Sequence, residues 1–224
     1  MTDKINIASK DGHNFGAYIA EPQEQTGQGL VILQEIFGVN THIREVCDSY
    51  SSYGFTSLAP SLFDRTEKNV ELNYLEKDIK KGRTLKSKIG WEKPLLDIQA
   101  SIDFLRKRNC SKIGVLGYCW GGSLAFLSAC RLSPDATIGY YGGQIIEFYS
   151  ELPRCPTILH FGSEDTSIPI SNVEKISNQH PQIGVYVYKG ANHGFNCNKR
   201  SDFDSKSSKQ ALSRTLDHLR EHLR

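Results

Sequence analysis

The sequence predicts an α/β fold, with a mostly parallel central sheet and helices on both of its faces. Short apolar runs alternate with segments of helical pattern along almost the whole chain. Leu30–Leu33 is a continuous apolar run, as a buried strand requires. The 224 residues, 38% hydrophobic and 23% charged, suit one globular domain spanning 1–224, with no linker, repeat or low-complexity segment.

The elements follow in order. Lys4–Ala8 and Asn14–Ile19 flank the turn signal Asp11-Gly12 and read as an opening antiparallel hairpin. Leu30–Leu33 is the next strand, Thr41–Tyr53 is helical, and Phe55–Ala59 is a strand ended by Pro60. Val70–Lys88 is charged, helical and the least core-like stretch, and can lie over a site as a cap. Leu95–Lys107 is an amphipathic helix, with Leu95, Ile98, Ile102 and Leu105 near one face. Lys112–Leu116 is a strand, followed by a helix from about Gly121. Ala136–Tyr141, Thr157–Phe161 and Gly184–Tyr188 read as strands, and Ile170–Asn178 and Ser207–Leu223 as helices.

Charge excludes some functions. With 27 basic and 25 acidic residues the net charge is +2, so there is no electrostatic case for nucleic acid or an anionic membrane. The basic clusters at 80–88 and 106–108 read as solvated helix faces and ends. No run of about 18 apolar residues exists to span a membrane. Met1-Thr2-Asp3-Lys4 lacks an apolar signal core, so the expected location is the cytoplasm. The six cysteines form no CxxC pair and no zinc spacing and read as mostly reduced thiols.

Gly117-Tyr118-Cys119-Trp120-Gly121-Gly122, between the strand ending at Leu116 and a helix, has the glycine–x–nucleophile–x–glycine spacing with cysteine as nucleophile. Such a turn lifts the side chain above the sheet edge. It also aims the next N–H, that of Trp120, at the same space as an oxyanion donor. The helix N-terminus adds partial positive charge, which favours thiolate and oxyanion. An acid and a histidine follow in the required order. Asp165 stands in Phe161-Gly162-Ser163-Glu164-Asp165 and His193 in Gly190-Ala191-Asn192-His193-Gly194-Phe195, both just after strands. Asp165 is preferred to Glu164 by its spacing to Gly162. His193 then moves the thiol proton and Asp165 orients its ring.

These residues resemble the dienelactone hydrolase (carboxymethylenebutenolidase) family of the α/β-hydrolase superfamily, from Leu33 to near the C-terminus. Besides the elbow and the Asp165 and His193 loops, Gln34-Glu35-Ile36-Phe37-Gly38-Val39-Asn40 and Gly139-Tyr140-Tyr141-Gly142 are similar to family blocks. The resemblance implies that Glu35 engages the cysteine and takes its proton once substrate binds. It also implies that the Ile36 N–H is the second oxyanion donor, that Arg65 holds a substrate carboxylate, and that Tyr140 lines the pocket. Trp120 stands where the family usually has leucine, which changes the expected pocket wall. The family's further arginine shortly after the histidine is displaced to Arg200, with Cys197 nearer.

The expected activity is hydrolysis of a small ester or lactone through an acyl-thioenzyme, by a monomer or small homo-oligomer. No metal or organic cofactor is implied. Two rival readings remain: a thiol redox or peroxide-sensing protein pairing Cys119 with Cys197, and a binding module on a catalytically dead fold.

Overall fold

A computed structural model describes residues 2–224, with side chains from Lys4 onward; Met1, the first residue of the N-terminal reading, lies outside the described residues. The strands are β1 (Thr2–Ala8), β2 (Asn14–Ala20), β3 (Gln28–Leu33), β4 (Thr56–Pro60), β5 (Lys112–Tyr118), β6 (Ala136–Tyr140), β7 (Thr157–Gly162) and β8 (Gly184–Tyr188). The helices are α1 (Thr41–Ser52), α2 (Glu76–Ile89), α3 (Glu92–Lys107), α4 (Trp120–Arg131), α5 (Ile170–Gln179) and α6 (Ser205–His222). Each expected element is present within about three residues, except that the helix expected over Val70–Lys88 begins only at Glu76. Two short 3-10 helices, Leu62–Arg65 and Gly143–Glu147, carry no strong periodicity and were not legible.

One eight-stranded sheet holds the strands in the order β1-β2-β4-β3-β5-β6-β7-β8. The hairpin β1–β2 is antiparallel, β2 runs antiparallel to β4, and every later pair is parallel. Strands β3 and β5 are neighbours, and from them the order runs outward in both directions. Loops leaving their carboxyl ends therefore diverge to opposite faces and leave a crevice, where open α/β sheets place their sites. Glu35 follows β3 and Cys119 follows β5, so both stand at that crevice.

The sheet separates two apolar cores. One joins Leu30, Ile32, Leu116 and Ile138 to α1, α5 and α6; the other joins Val31, Leu33, Ile113 and Val115 to α3 and the buried side of α2. Residues 30–33 alternate between the two cores, which explains why that run is continuously apolar. In α3, Leu95, Ile98, Ile102 and Leu105 all face the second core, as their spacing predicts.

Candidate active site

The nucleophile turn is tight because three glycines permit it. A Cβ at Gly117 would lie 1.9 Å from the Gly121 carbonyl oxygen, and one at Gly121 would lie 2.4 Å from that of Leu33. Between them Cys119 has φ 53° and ψ −115°, a conformation that L-residues adopt only under constraint. The constraint is visible: the Cys119 N–H donates to the Tyr140 carbonyl at 3.0 Å, and its carbonyl accepts from Ser123 N–H at 3.2 Å. The side chain is half-exposed, and α4 begins at the next residue.

His193 Nε2 lies 3.2 Å from Cys119 Sγ, and His193 Nδ1 lies 2.7 Å from Asp165 Oδ2. The other Asp165 oxygen accepts from the Ser167 N–H at 2.9 Å, and the carboxylate is buried. Thiol, imidazole and carboxylate are thus bonded in series. Burial opposes a charged His193 ring, but the sulfur and the Asp165 carboxylate outweigh it and raise its pKa above the ordinary imidazole range. Glu164 instead accepts from the Ser163 hydroxyl on the surface.

The N–H of Ile36 and that of Trp120, the first residue of α4, make no backbone hydrogen bond among those of the described residues. The Glu35–Ile36 loop is held by Gln34, whose carbonyl accepts from Gly121 N–H and whose side chain joins Leu62 N–H to the Glu35 carbonyl. Helix α2 sits directly on this loop. A Cβ at Gly82 would lie 2.0 Å from the Ile36 carbonyl oxygen, so glycine there lets the helix close down. The cap reading of the charged stretch therefore agrees with its placement: Ile79, Arg83 and Lys86 of α2 line a cavity of about 280 Å³ that contains Cys119 and His193.

Four expectations need correction. Arg65 does not face this cavity. Its guanidinium is bound by Asp97 (Nε–Oδ2, 2.7 Å) and Asp11 (Nη1–Oδ2, 2.8 Å), and its hydrogen bond holds the Asp11 carboxyl at about 2. Asp97, buried in α3 and also bonded to Ser9, needs that cation more than a substrate would. Tyr140 is buried with its hydroxyl 2.7 Å from Thr215, in the core and away from the cavity. Trp120 does not shape the pocket wall, because its indole is fully buried and stacked on Phe63 at 5.4 Å. Glu35 does not engage Cys119 in this state. Both its oxygens are buried without a hydrogen-bond partner among the described residues, and burial raises its pKa against the opposing pull of Arg200 and His193.

Two other residues stand beside the site. Arg200 lines the cavity, reaching Asp202 at 3.2 Å and Glu35 Oε1 at 4.0 Å. Tyr141, with φ 38°, turns out of the strand end to pack 5.1 Å from the His193 ring, its buried hydroxyl unpartnered among the described residues. The adjacent Tyr140–Tyr141 pair signalled an aromatic here, but not which of the two faces the histidine.

The sequence profile of the dienelactone hydrolase family matches residues 15–223. The chain belongs to the dienelactone hydrolase family. A carboxymethylenebutenolidase from Pseudomonas putida is 31% identical, over 98% of this chain and 96% of its own length. Another from Cupriavidus pinatubonensis is 30% identical, with 98% and 97% covered. Among solved structures, a candidate dienelactone hydrolase from Klebsiella pneumoniae superposes with TM-score 0.88 at 25% identity, covering 99% of this chain and 98% of that one. Like other members of the dienelactone hydrolase family, this α/β-hydrolase has a cysteine-based centre, and it is a hydrolase acting on carboxylic ester bonds.

Proposed function

We propose that the protein hydrolyses a small ester or lactone bearing an anionic group, through an acyl-thioenzyme on Cys119. The observation that carries this reading is the bonded series Cys119–His193–Asp165 opening into a cavity edged by Arg83, Lys86 and Arg200. Cationic side chains in a confined space suit a carboxylate, and the arginine fork suits it best. The P. putida relative is named for a lactone-opening reaction, which agrees with this chemistry.

The sulfur attacks the carbonyl carbon, and the oxyanion sits between the N–H groups of Ile36 and Trp120. The C–O bond breaks as His193 delivers its proton to the departing oxygen. Water then gives its proton to His193, attacks the thioester, and frees the acid and the thiol. His193 starts as the imidazolium that Asp165 supports, while Glu35, 4.0 Å from Arg200, accepts the thiol proton when the substrate's own anion draws Arg200 away and returns it to the sulfur as the acid leaves.

The whole chain acts as one domain, since one sheet runs from Thr2 to Tyr188. All six cysteines are free, which supports a reducing compartment such as the cytoplasm. No helix among the described residues is long and apolar enough to cross a membrane. The near-neutral charge supports a small-molecule partner over nucleic acid, acted on by a monomer or small homo-oligomer. The test compares kcat/KM for matched anionic and neutral lactones and aryl esters. A preference of about tenfold or more for the anionic member is expected. Equal rates would reduce the protein to an unselective esterase, and no turnover of either would reject the reading.

A further inference from the structure

Behind the nucleophile lies a second set of donor atoms that hydrolysis uses only in part. One ligand atom each from Glu35, His42 and Cys197 lie within 4.8 Å of one another, and all three residues are buried. Glu35 is 1% and His42 4% exposed, yet both Glu35 oxygens and His42 Nε2 have no hydrogen-bond partner among the described residues. Buried polar groups are almost always paired. The Glu35 carboxylate, the His42 imidazole and the Cys197 sulfur, whose own contact is the Tyr74 hydroxyl at 3.3 Å, are drawn together in an arrangement that a Lewis acid satisfies.

We propose that Glu35, His42 and Cys197 bind one zinc ion, or a divalent cation of similar softness, in a site separate from the Cys119–His193–Asp165 series. Carboxylate, imidazole and thiolate are all ligands that zinc takes, and it holds them in a tetrahedron with bonds of about 2.0–2.3 Å. The edges of such a tetrahedron are roughly 3.3–3.8 Å, so no pair of atoms needs to close by more than about 1.5 Å. The Tyr74 hydroxyl, 3.3 Å from Cys197 Sγ, or a water completes the fourth position.

Thiolate and carboxylate offset the dication, the imidazole enters neutral, and Arg200, 4.0 Å from Glu35 Oε1, keeps Asp202 at 3.2 Å as its counter-charge. On binding, the Cys197 S–H bond breaks, its proton leaves to solvent and the sulfur bonds the metal; no electrons are transferred. An entry route exists, because His42 and Tyr74 border a cavity of about 840 Å³ next to the catalytic one. The ligands come from the loop after β3, the first turn of α1 and the loop after β8, so the ion would tie three separate segments together.

One consequence rests on the hydrolytic reading. With Glu35 held by metal, its proton-accepting role is blocked, so zinc slows turnover in the wild type and slows it less in Cys197→Ser. Binding itself is measured without turnover. Because Cys119 and His193 can also take zinc, the binding protein is the full-length Cys119→Ala variant, stripped with chelator and titrated with zinc alone by competition against a chromophoric chelator. One equivalent is expected, with affinity falling by about tenfold or more on adding Cys197→Ser or His42→Gln. Cobalt added to Cys119→Ala should give a thiolate-to-metal charge-transfer band and tetrahedral visible bands. That readout needs no second substitution and stands even if a ligand variant folds poorly. Substoichiometric zinc, unchanged affinity in the double variants, or cobalt spectra of octahedral aquo type would each overturn the proposal.

Discussion

The molecule contains two sets of cysteine, histidine and carboxylate within one loop's reach of each other, and they are built oppositely. In Cys119–His193–Asp165 the groups are joined in series at 3.2 and 2.7 Å, and the cysteine is half-exposed on a strained turn. In Glu35–His42–Cys197 the cysteine is buried, no member is bonded to another, and three polar atoms are unpaired among the described residues. Residue type alone does not distinguish them. Serial hydrogen bonds, exposure and a helix N-terminus suit the first to the nucleophilic role proposed for it, while burial pushes the Cys197 thiol up to about 11, with Glu35 adding to the effect.

The largest expected contrast is between the two cysteines. Cys119→Ala should lower kcat by at least about a thousandfold, as loss of a covalent nucleophile does, whereas Cys197→Ser should stay within about tenfold. Equal losses would erase the distinction.

The two arginines should separate next. Arg65→Ala leaves Asp97 buried and unpaired, so about 3–5 kcal/mol of stability should be lost, read as a fall in denaturation midpoint. Its effect on kcat/KM should be the same for anionic and neutral substrates. Arg200→Ala should do the reverse, raising KM for an anionic lactone about ten- to a hundredfold with little change for a neutral ester.

A smaller contrast concerns pH. His193 is raised to about 10 in the folded state, so its contribution to stability is present at low pH and is lost as pH rises through that value. His160 is the opposite: burial lowers it to about 3 while its ring nitrogens stay paired with Tyr188 and Thr215. Between its ordinary value near 6.5 and about 3 the unfolded chain binds the extra proton, so stability falls as pH falls. The slope is about 1.4 kcal/mol per pH unit for one group. Burial lowers His42 and His218 to about 4 as well, so chemical denaturation from pH 6 to 4 should show a slope summed over several histidines, and His160→Gln should reduce it by the share of one group.

Legibility in the sequence followed the range of the interactions. The strand–turn–helix of the elbow is local, so its glycines and Cys119 were readable, and Asp165 and His193 followed from order and strand ends. The antiparallel hairpin was equally local. Arg65 was misplaced because its partners lie 32 and 54 residues away, where no local pattern points. Arg200 was undervalued for the same reason, since it reaches the cavity from a loop whose course no local pattern announces. Tyr140 and Tyr141 were interchanged because strand alternation ends between them, at a positive φ that the sequence does not announce. The Glu35–His42–Cys197 grouping draws on three segments, so no ligand spacing could reveal it.

The covalent step at Cys119 is tested most directly by rapid-quench intact-mass spectrometry after mixing the wild type with an excess of an activated aryl ester. The protein should gain one acyl group within the first turnover, peptide mapping should place it on Cys119, and the adduct should decay at the steady-state rate once substrate is spent. Turnover without any adduct in Asp165→Asn or His193→Ala, where deacylation is slowed, or an adduct on Cys197, would contradict the assignment of the nucleophile.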